Sequence, residues 1–410
     1  MLLIAVNGFL CIAAIAFPFS VAATNVGLGI ALALGIVSGS WWLGAKRCWN
    51  EFRSLSIAFT AYFAMLLAGL TWSQNIDWGM HIIGRQWFWL LVPVLVVTLS
   101  DEKWRRYFLL ALSVGLSLHL LFCVLQSFGY VHVTTSGSSA DNATGHIGHI
   151  GFGFVYGVWA AWLLFTGLRS ASKLRWLCWS LAMWAYVMIF AAQGRSGYIV
   201  AFVLAVTVVV KWFAARSDWK RLFWAVGATF VLFSLALTLG PAKERVLGTW
   251  AVMTGEQQDV AVFWQNNAVQ AANQRILMWK TTLDIYRMHP VLGVGTGGLP
   301  DAVAALKVEG LSASKFTFVH PHNQYLMALV RWGPAGLALL SLMLFYWMRE
   351  GWRRDWDQSV TAPLVFLPAL ALVIHGLSST AVEEHFSAIL AILLLGVALS
   401  DDRFYVHKER

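Results

Sequence analysis

Apolar stretches of membrane-crossing length recur along this chain and set its architecture. A bilayer core about 30 Å thick calls for roughly 17–25 predominantly apolar residues per crossing helix. Such runs lie near residues 2–18, 23–44, 54–73, 83–99, 106–128, 147–168, 175–192, 197–214, 221–240, 323–348, 360–379 and 384–400. They predict an all-α polytopic membrane protein of about twelve transmembrane helices. The chain then divides into nine helices over 1–240, a long loop over 241–322, and three further helices with a tail over 323–410. No 20–50-residue repeat is visible and the two halves differ, so the inverted repeats of many secondary transporters are not evident.

The loop over 241–322 is far longer than an ordinary connection and carries structure of its own. Between Asn273 and His289 the apolar residues Ile276, Trp279, Leu283 and Tyr286 recur at helical spacing. Gln274, Lys280, Thr281, Asp284 and Arg287 fall largely elsewhere on the wheel, which predicts an amphipathic helix near the membrane surface. Pro290 stops that helix, and Gly293-Val294-Gly295-Thr296-Gly297-Gly298 follows as a tight turn.

Charge supplies the orientation. The short loops around 45–53, 100–106, 169–175, 211–221 and 349–354, with the tail 401–410, carry 19 of the 29 Lys and Arg. The alternate short loops carry almost none, Arg85 and Arg195 excepted. The positive-inside bias then puts both termini in the cytoplasm and the long loop outside. It also accounts for the net charge of +9 without invoking nucleic acid.

Composition agrees. Hydrophobic residues make up 59% of the chain and charged residues 12%, about half of what a water-facing domain carries. The 23 Trp suit the headgroup boundary. Of Cys11, Cys48, Cys123 and Cys178, three fall in predicted spans and Cys48 in a cytoplasmic loop, so no external disulfide is expected and no CxxC metal signature exists. Ser20-Val21-Ala22 has the small-x-small form of a cleavage site, but no basic segment precedes it, and the first run reads as a retained span.

Chemistry concentrates on the outward side. His320-Pro321-His322-Asn323 stands where the long loop re-enters the membrane. A neutral imidazole there can accept a proton from a hydroxyl; alternatively, Asn323 or His322 caps a helix. The HxH pair lacks a nearby third ligand for a metal. Arg195, in Gln193-Gly194-Arg195-Ser196-Gly197, is an ionisable residue in a very short outward turn. It reads either as functional or as snorkelling to outer headgroups. Arg275 opens the amphipathic helix, and two planar guanidinium groups could together clamp a diphosphate, or Arg275 could sit on a solvated face. The 293–298 glycine run resembles a phosphate cradle only loosely and lacks the Walker ending, which favours a structural turn. His146 and His149 read as packed or capping residues, and Glu383-Glu384-His385 as a cation site or a solvated loop.

One spacing is distinctive: His322-Asn323, nine residues, then Gly333-Pro334-Ala335-Gly336. Together with Asn273-Gln274-Arg275, Trp279, His289-Pro290, Gly293-Val294-Gly295 and the 193–197 turn, it resembles the O-antigen ligases, within the O-antigen ligase and polymerase family of bacterial envelope proteins. Motif support covers about 150 residues; the first half has no distinctive motif.

The resemblance implies a GT-C-like, inverting, metal-independent glycosyltransferase without cofactor, a monomer in the bacterial inner membrane with its active site facing the periplasm. It would move O-antigen polysaccharide from undecaprenyl diphosphate to a sugar hydroxyl of lipid A–core. By residue, the resemblance implies His322, Arg195 and Arg275 as catalytic, and places His320, Asn323, Gln193, Trp279 and Gly295 among substrate-binding positions. The first outward loop, near 18–23, contains no carboxylate, unlike the early external loops of metal-dependent oligosaccharyltransferases. The rival expectations are an O-antigen polymerase, a protein O-oligosaccharyltransferase, whose large C-terminal outward domain is missing here, and, more remotely, a lipid-linked glycan flippase or transporter.

Overall fold

The computed structural model describes residues 1–133, 138–239, 242–243, 246–248, 250, 267–308 and 317–401. The middle of the expected outward loop and the basic tail past residue 401 lie outside the described residues. Among the described residues every regular element is helical, apart from one isolated bridge between Ser139 and Asn142.

In chain order these are α1 (Leu2–Ala16), α2 (Val21–Val37), α3 (Ser40–Glu51), α4 (Arg53–Ala68), α5 (Ile76–Gly84) and α6 (Leu91–Thr98), then α7 (Glu102–Ser127), α8 (Gly148–Arg169), α9 (Leu174–Ala191), α10 (Arg195–Ala214) and α11 (Trp219–Leu239). The rest are α12 (Asn267–Met288), α13 (Leu299–Val308), α14 (Gln324–Trp352), α15 (Pro363–His375) and α16 (His385–Leu399). Among the described residues six helices, α7 to α11 and α14, are long and apolar enough to cross a membrane, and up to eight spans result if each of two bent pairs counts as one. The chain is therefore an all-helical polytopic membrane protein.

Each predicted span coincides with a helix, but several boundaries differ. The run at 23–44 breaks at Ser38-Gly39, where Gly39 takes φ +78°, and α3 leaves α2 at 86°. The run at 83–99 is the second half of a pair bent by 42°, α5 followed by a 3-10 turn (Trp87–Leu90) and α6. Helices α1, α4, α15 and α16 span only 13 to 16 residues, about 20–24 Å at 1.5 Å per residue. Hydropathy registers apolar content and does not register where the backbone turns, so the runs read longer than the helices.

Helix α8 is largely buried and central, packed by α9, α10, α15 and α16. Small residues make this possible: a Cβ at Gly153 would lie 2.2 Å from Gly197 Cα of α10, so the two backbones meet directly. Helix α14 kinks at Trp332-Gly333, with Gly333 at φ +64°. Pro334 removes a donor there, which accounts for the break. The Gly-x-x-Gly part of the motif is this kink.

The basic loops gather at one end of the bundle. Arg105 pairs with Asp401 at 3.4 Å, Arg354 donates to the Ala398 carbonyl at 2.8 Å, and Arg216 pairs with Asp357 at 2.9 Å. Arg169 reaches the carbonyls of Trp356, Asp357 and Gln358. Helices α12 and α13 and the start of α14 form a second small core around Ile285, Val294, Leu299, Val303 and Phe318. The most buried face of α12 is Thr281, Thr282 and Ile285, which differs from the predicted stripe of Ile276, Trp279, Leu283 and Tyr286. Thr282 can be buried because its hydroxyl bonds back to the Met278 carbonyl at 2.7 Å.

Candidate active site

The approach to α14 is an unusual stretch of backbone with a local cause for each turn. His320 precedes a proline, which disfavours helical dihedrals for it. His322 sits at φ +52°, a left-handed conformation that costs a non-glycine residue about 1–2 kcal/mol and that histidine adopts more readily than most. Asn323 then caps α14, its Oδ1 accepting from the amides of Tyr325 and Leu326 at 3.0 Å each. The result stacks the rings of His320 and His322 edge to face, centroids 4.4 Å apart, with both Nδ1 atoms buried and without a hydrogen-bond partner. A strained, incompletely satisfied pair of this kind points to function.

Two further segments are drawn onto this stretch. From α12, Trp279 donates its indole N–H to the Pro321 carbonyl at 2.9 Å, and Arg275, one turn earlier on the same face, lies where its charge acts on His322. From the α15–α16 connection, the Gly376 carbonyl accepts from Gln324 N at 2.7 Å, the Leu377 carbonyl accepts from Asn323 Nδ2 at 3.1 Å, and Val382 N donates to Gln324 Oε1 at 3.2 Å. This brings in Glu383 and Glu384. Glu383 pairs with Arg331 of α14. Glu384 accepts from Ser379, and from Ser387 at 3.4 Å, and lies 3.6 Å from His375 Nε2.

The electrostatics follow from this packing. Desolvation lowers the His322 pKa to about 4, with His320, Arg275 and His149 acting in the same direction and Glu384 opposing. His320 is lowered mainly by desolvation, helped by Arg331 and Arg85 and opposed by Glu384 and Glu383. Burial also lowers Arg275, again opposed by Glu384. For Glu384 itself burial acts upward, but His375 beside it, the Ser379 hydroxyl bonded to it and His320 hold it well below the usual carboxylate range. Burial thus favours the neutral form of both imidazoles, while a carboxylate and several guanidinium groups act on them in opposite senses.

Arg195 is the first residue of α10 and half-buried. The turn before it is fixed from two sides. Gln193 N donates to Asn142 Oδ1 at 2.9 Å, and Gly194 lies so close to His149 that a Cβ would come within 2.4 Å of its carbonyl oxygen. His149, in turn, acts on His322, so the first turns of α8 and α10 border the cluster.

Some predicted residues have other duties. Asn323 spends its side chain on the cap and the Leu377 tie, which removes capping from His322. Gly295 donates its N–H to the Arg331 carbonyl at 2.8 Å, while Val294 and Thr296 donate to Val330 and Gly69. Gly297 N bonds Ser73 Oγ at 3.0 Å. The glycine turn is therefore a plug between α4 and the kink of α14, with these amides bonded to protein acceptors.

Sequence reasoning gave too little weight to Glu384, His149 and Arg85. Glu383 and Glu384 are not solvated as a free loop would be. Their signal was two adjacent acids at a span boundary in a chain with only 20 acidic residues, since ionisable groups at such depth need partners. Among the described residues no group of three or more His, Cys, Asp or Glu is placed to hold a metal ion.

Residues 180–341 match the family model described as O-antigen ligase. That stretch includes Arg195, Arg275, His320 and His322, and stops short of Glu384. No curated protein matches the chain.

Proposed function

We propose, on the match of residues 180–341 to the O-antigen ligase family model, that this chain is a membrane glycosyltransferase of the ligase type. It moves a polysaccharide from undecaprenyl diphosphate to a sugar hydroxyl of lipid A–core, by inversion and without a metal ion. The observation that carries this reading is the convergence of His320, His322, Arg275 and Glu384 at the end of the bundle away from the basic loops. In the proposed arrangement the chain crosses the bacterial inner membrane twelve times, with both termini cytoplasmic and this cluster periplasmic. The two bent pairs and four short helices supply the crossings beyond the six long ones.

The reaction needs three things. A base must take the proton of the acceptor hydroxyl, cations must hold the departing diphosphate, and both must be set before the substrates arrive. His322 is the base: it stays neutral at pH 7, and its Nδ1 has no protein partner. As its nitrogen takes the proton, the acceptor oxygen bonds the anomeric carbon and the bond from that carbon to the diphosphate oxygen breaks. Arg275 and Arg195 stabilise the charge left on the diphosphate, and Glu384 stabilises the imidazolium. A lipid diphosphate beside His322 also raises its basicity above that of the empty site, because nearby anions favour the protonated form.

The direct test uses the purified full chain in phospholipid vesicles with lipid-linked polysaccharide and lipid A–core. Formation of a glycan–lipid A product would support the ligase. Extension of one lipid-linked glycan by another, with no transfer to lipid A–core, would replace it by a polymerase.

A further inference from the structure

A sizeable cavity among the described residues lies away from the histidine cluster. It is an apolar groove of about 540 Å³ enclosed by α3, α4, the bent α5–α6 pair and α16. At its inner end lie Cys48, Phe52 and Leu399, close to the basic loops. At its outer end lie Leu66, Ile83 and Gln86. The bend between α5 and α6 falls at this outer end and presents two consecutive polar residues. Gln86 is 3% exposed, lines the groove, and has no hydrogen-bond partner on either amide atom. An amide desolvated without partners is costly to keep, so its presence in an apolar wall calls for a ligand. Arg85, next to it, is exposed and makes no ion pair among the described residues.

Arg85 ties the outer end of the groove to the histidine cluster. Arg85 acts on His320 and His385, whereas Arg275 and His149 act on His322. The outer rim of the groove therefore adjoins the histidine cluster. A transfer reaction needs two approaches, since donor and acceptor must reach the base from different directions. Arg195 and Arg275 are assigned above to the donor diphosphate. The groove beside Arg85 has an apolar slot, a buried amide at its rim and an exposed arginine next to that amide. This order matches the hydrocarbon, ester or amide junction and phosphate of an acylated phospholipid.

We propose that this groove seats an acyl chain of the acceptor, with Gln86 bonding its polar junction and Arg85 taking a headgroup phosphate. The proposal rests on the transferase reading for its assignment to the acceptor, and its test is a binding measurement that does not need turnover. The purified full chain in phosphatidylcholine vesicles is irradiated with a phosphatidic acid probe carrying a diazirine in one acyl chain, and the labelled peptides are mapped. Labelling should fall on α4 and on residues 83–93. Excess lipid A should displace the probe and polyprenyl diphosphate should not. Arg85→Glu should reduce the labelling about tenfold, the scale of a lost charge-assisted contact, and Arg85→Lys should recover much of it. Thr60→Trp, at an exposed position lining the groove, should block labelling without disturbing the core. Displacement by polyprenyl diphosphate in place of lipid A would give the groove to the donor and overturn the proposal. Labelling equal to wild type in both Arg85→Glu and Thr60→Trp would also overturn it. Failure of wild-type protein to transfer glycan would count against the enzyme reading alone, because the labelling pattern reports the groove independently.

Discussion

Replacing His322 by asparagine isolates chemistry from folding, because the structure separates the two roles. Helix α14 is capped by Asn323, so His322 carries no capping duty. Its backbone at φ +52° is one that asparagine tolerates well. The variant should therefore unfold within about 1 kcal/mol of wild type. Alanine would fare worse, since a left-handed alanine bears the full steric penalty of about 1–2 kcal/mol. The imidazole is the one group that asparagine cannot replace as a base. Losing it should slow transfer about 10²–10⁴-fold, or raise the barrier by about 2.7–5.4 kcal/mol. The assay is single-turnover transfer in vesicles at saturating donor, with thermal unfolding followed on the same preparation. Asn323→Ala is the reciprocal control. It should lower stability by about 0.5–2 kcal/mol through the lost cap and slow transfer far less than His322→Asn. A His322→Asn protein that transfers at more than about a tenth of the wild-type rate would refute the base assignment.

Arg195→Lys and Arg275→Lys keep the charge and lose the planar fork. Both should transfer more slowly, and alanine at either position more slowly still; wild-type rates for both lysine variants would exclude bidentate diphosphate contact. The acid limb of kcat/KM should reflect the depressed His322, so activity should hold from pH 7 through the ordinary histidine range near 6.5 and fall only as pH approaches about 4. Because Glu384 pulls the pKa of both histidines upward, Glu384→Gln should move that limb to lower pH; a limb shifted to higher pH would contradict the proposed placement of charge. Activity should survive excess chelator, and loss that magnesium restores would point to a metal-assisted leaving group. Reporter fusions at Ser138 should read as extracytoplasmic and those at Ser217 and Asp355 as cytoplasmic, with the opposite pattern reversing the proposed orientation.

The helical membrane class was legible in the sequence because the bilayer imposes a one-dimensional requirement: each crossing must be a continuous apolar run. Loop charge was equally legible, and the structure gathers the basic loops at one end. His322 and Arg275 could be picked as candidates because short motifs mark backbone turns, and a Pro-His-Asn cap and a helix start are local features. What the sequence could not show is how the span ends meet. Gly39 and Pro334 were visible as residues, but the angle of each turn, 86° after Gly39, is a property of the folded backbone. Asn323 and Gly295, expected as substrate contacts, also spend hydrogen bonds on the protein itself, which no local pattern shows. Glu384, more than sixty positions beyond His322, joins the histidines only because Gln324 and Asn323 tie the α15–α16 connection to the start of α14. His149 and Arg85 arrive from still more distant helices. Charge acts through space at a few ångströms, and those distances are decided by helix packing, not by separation along the chain.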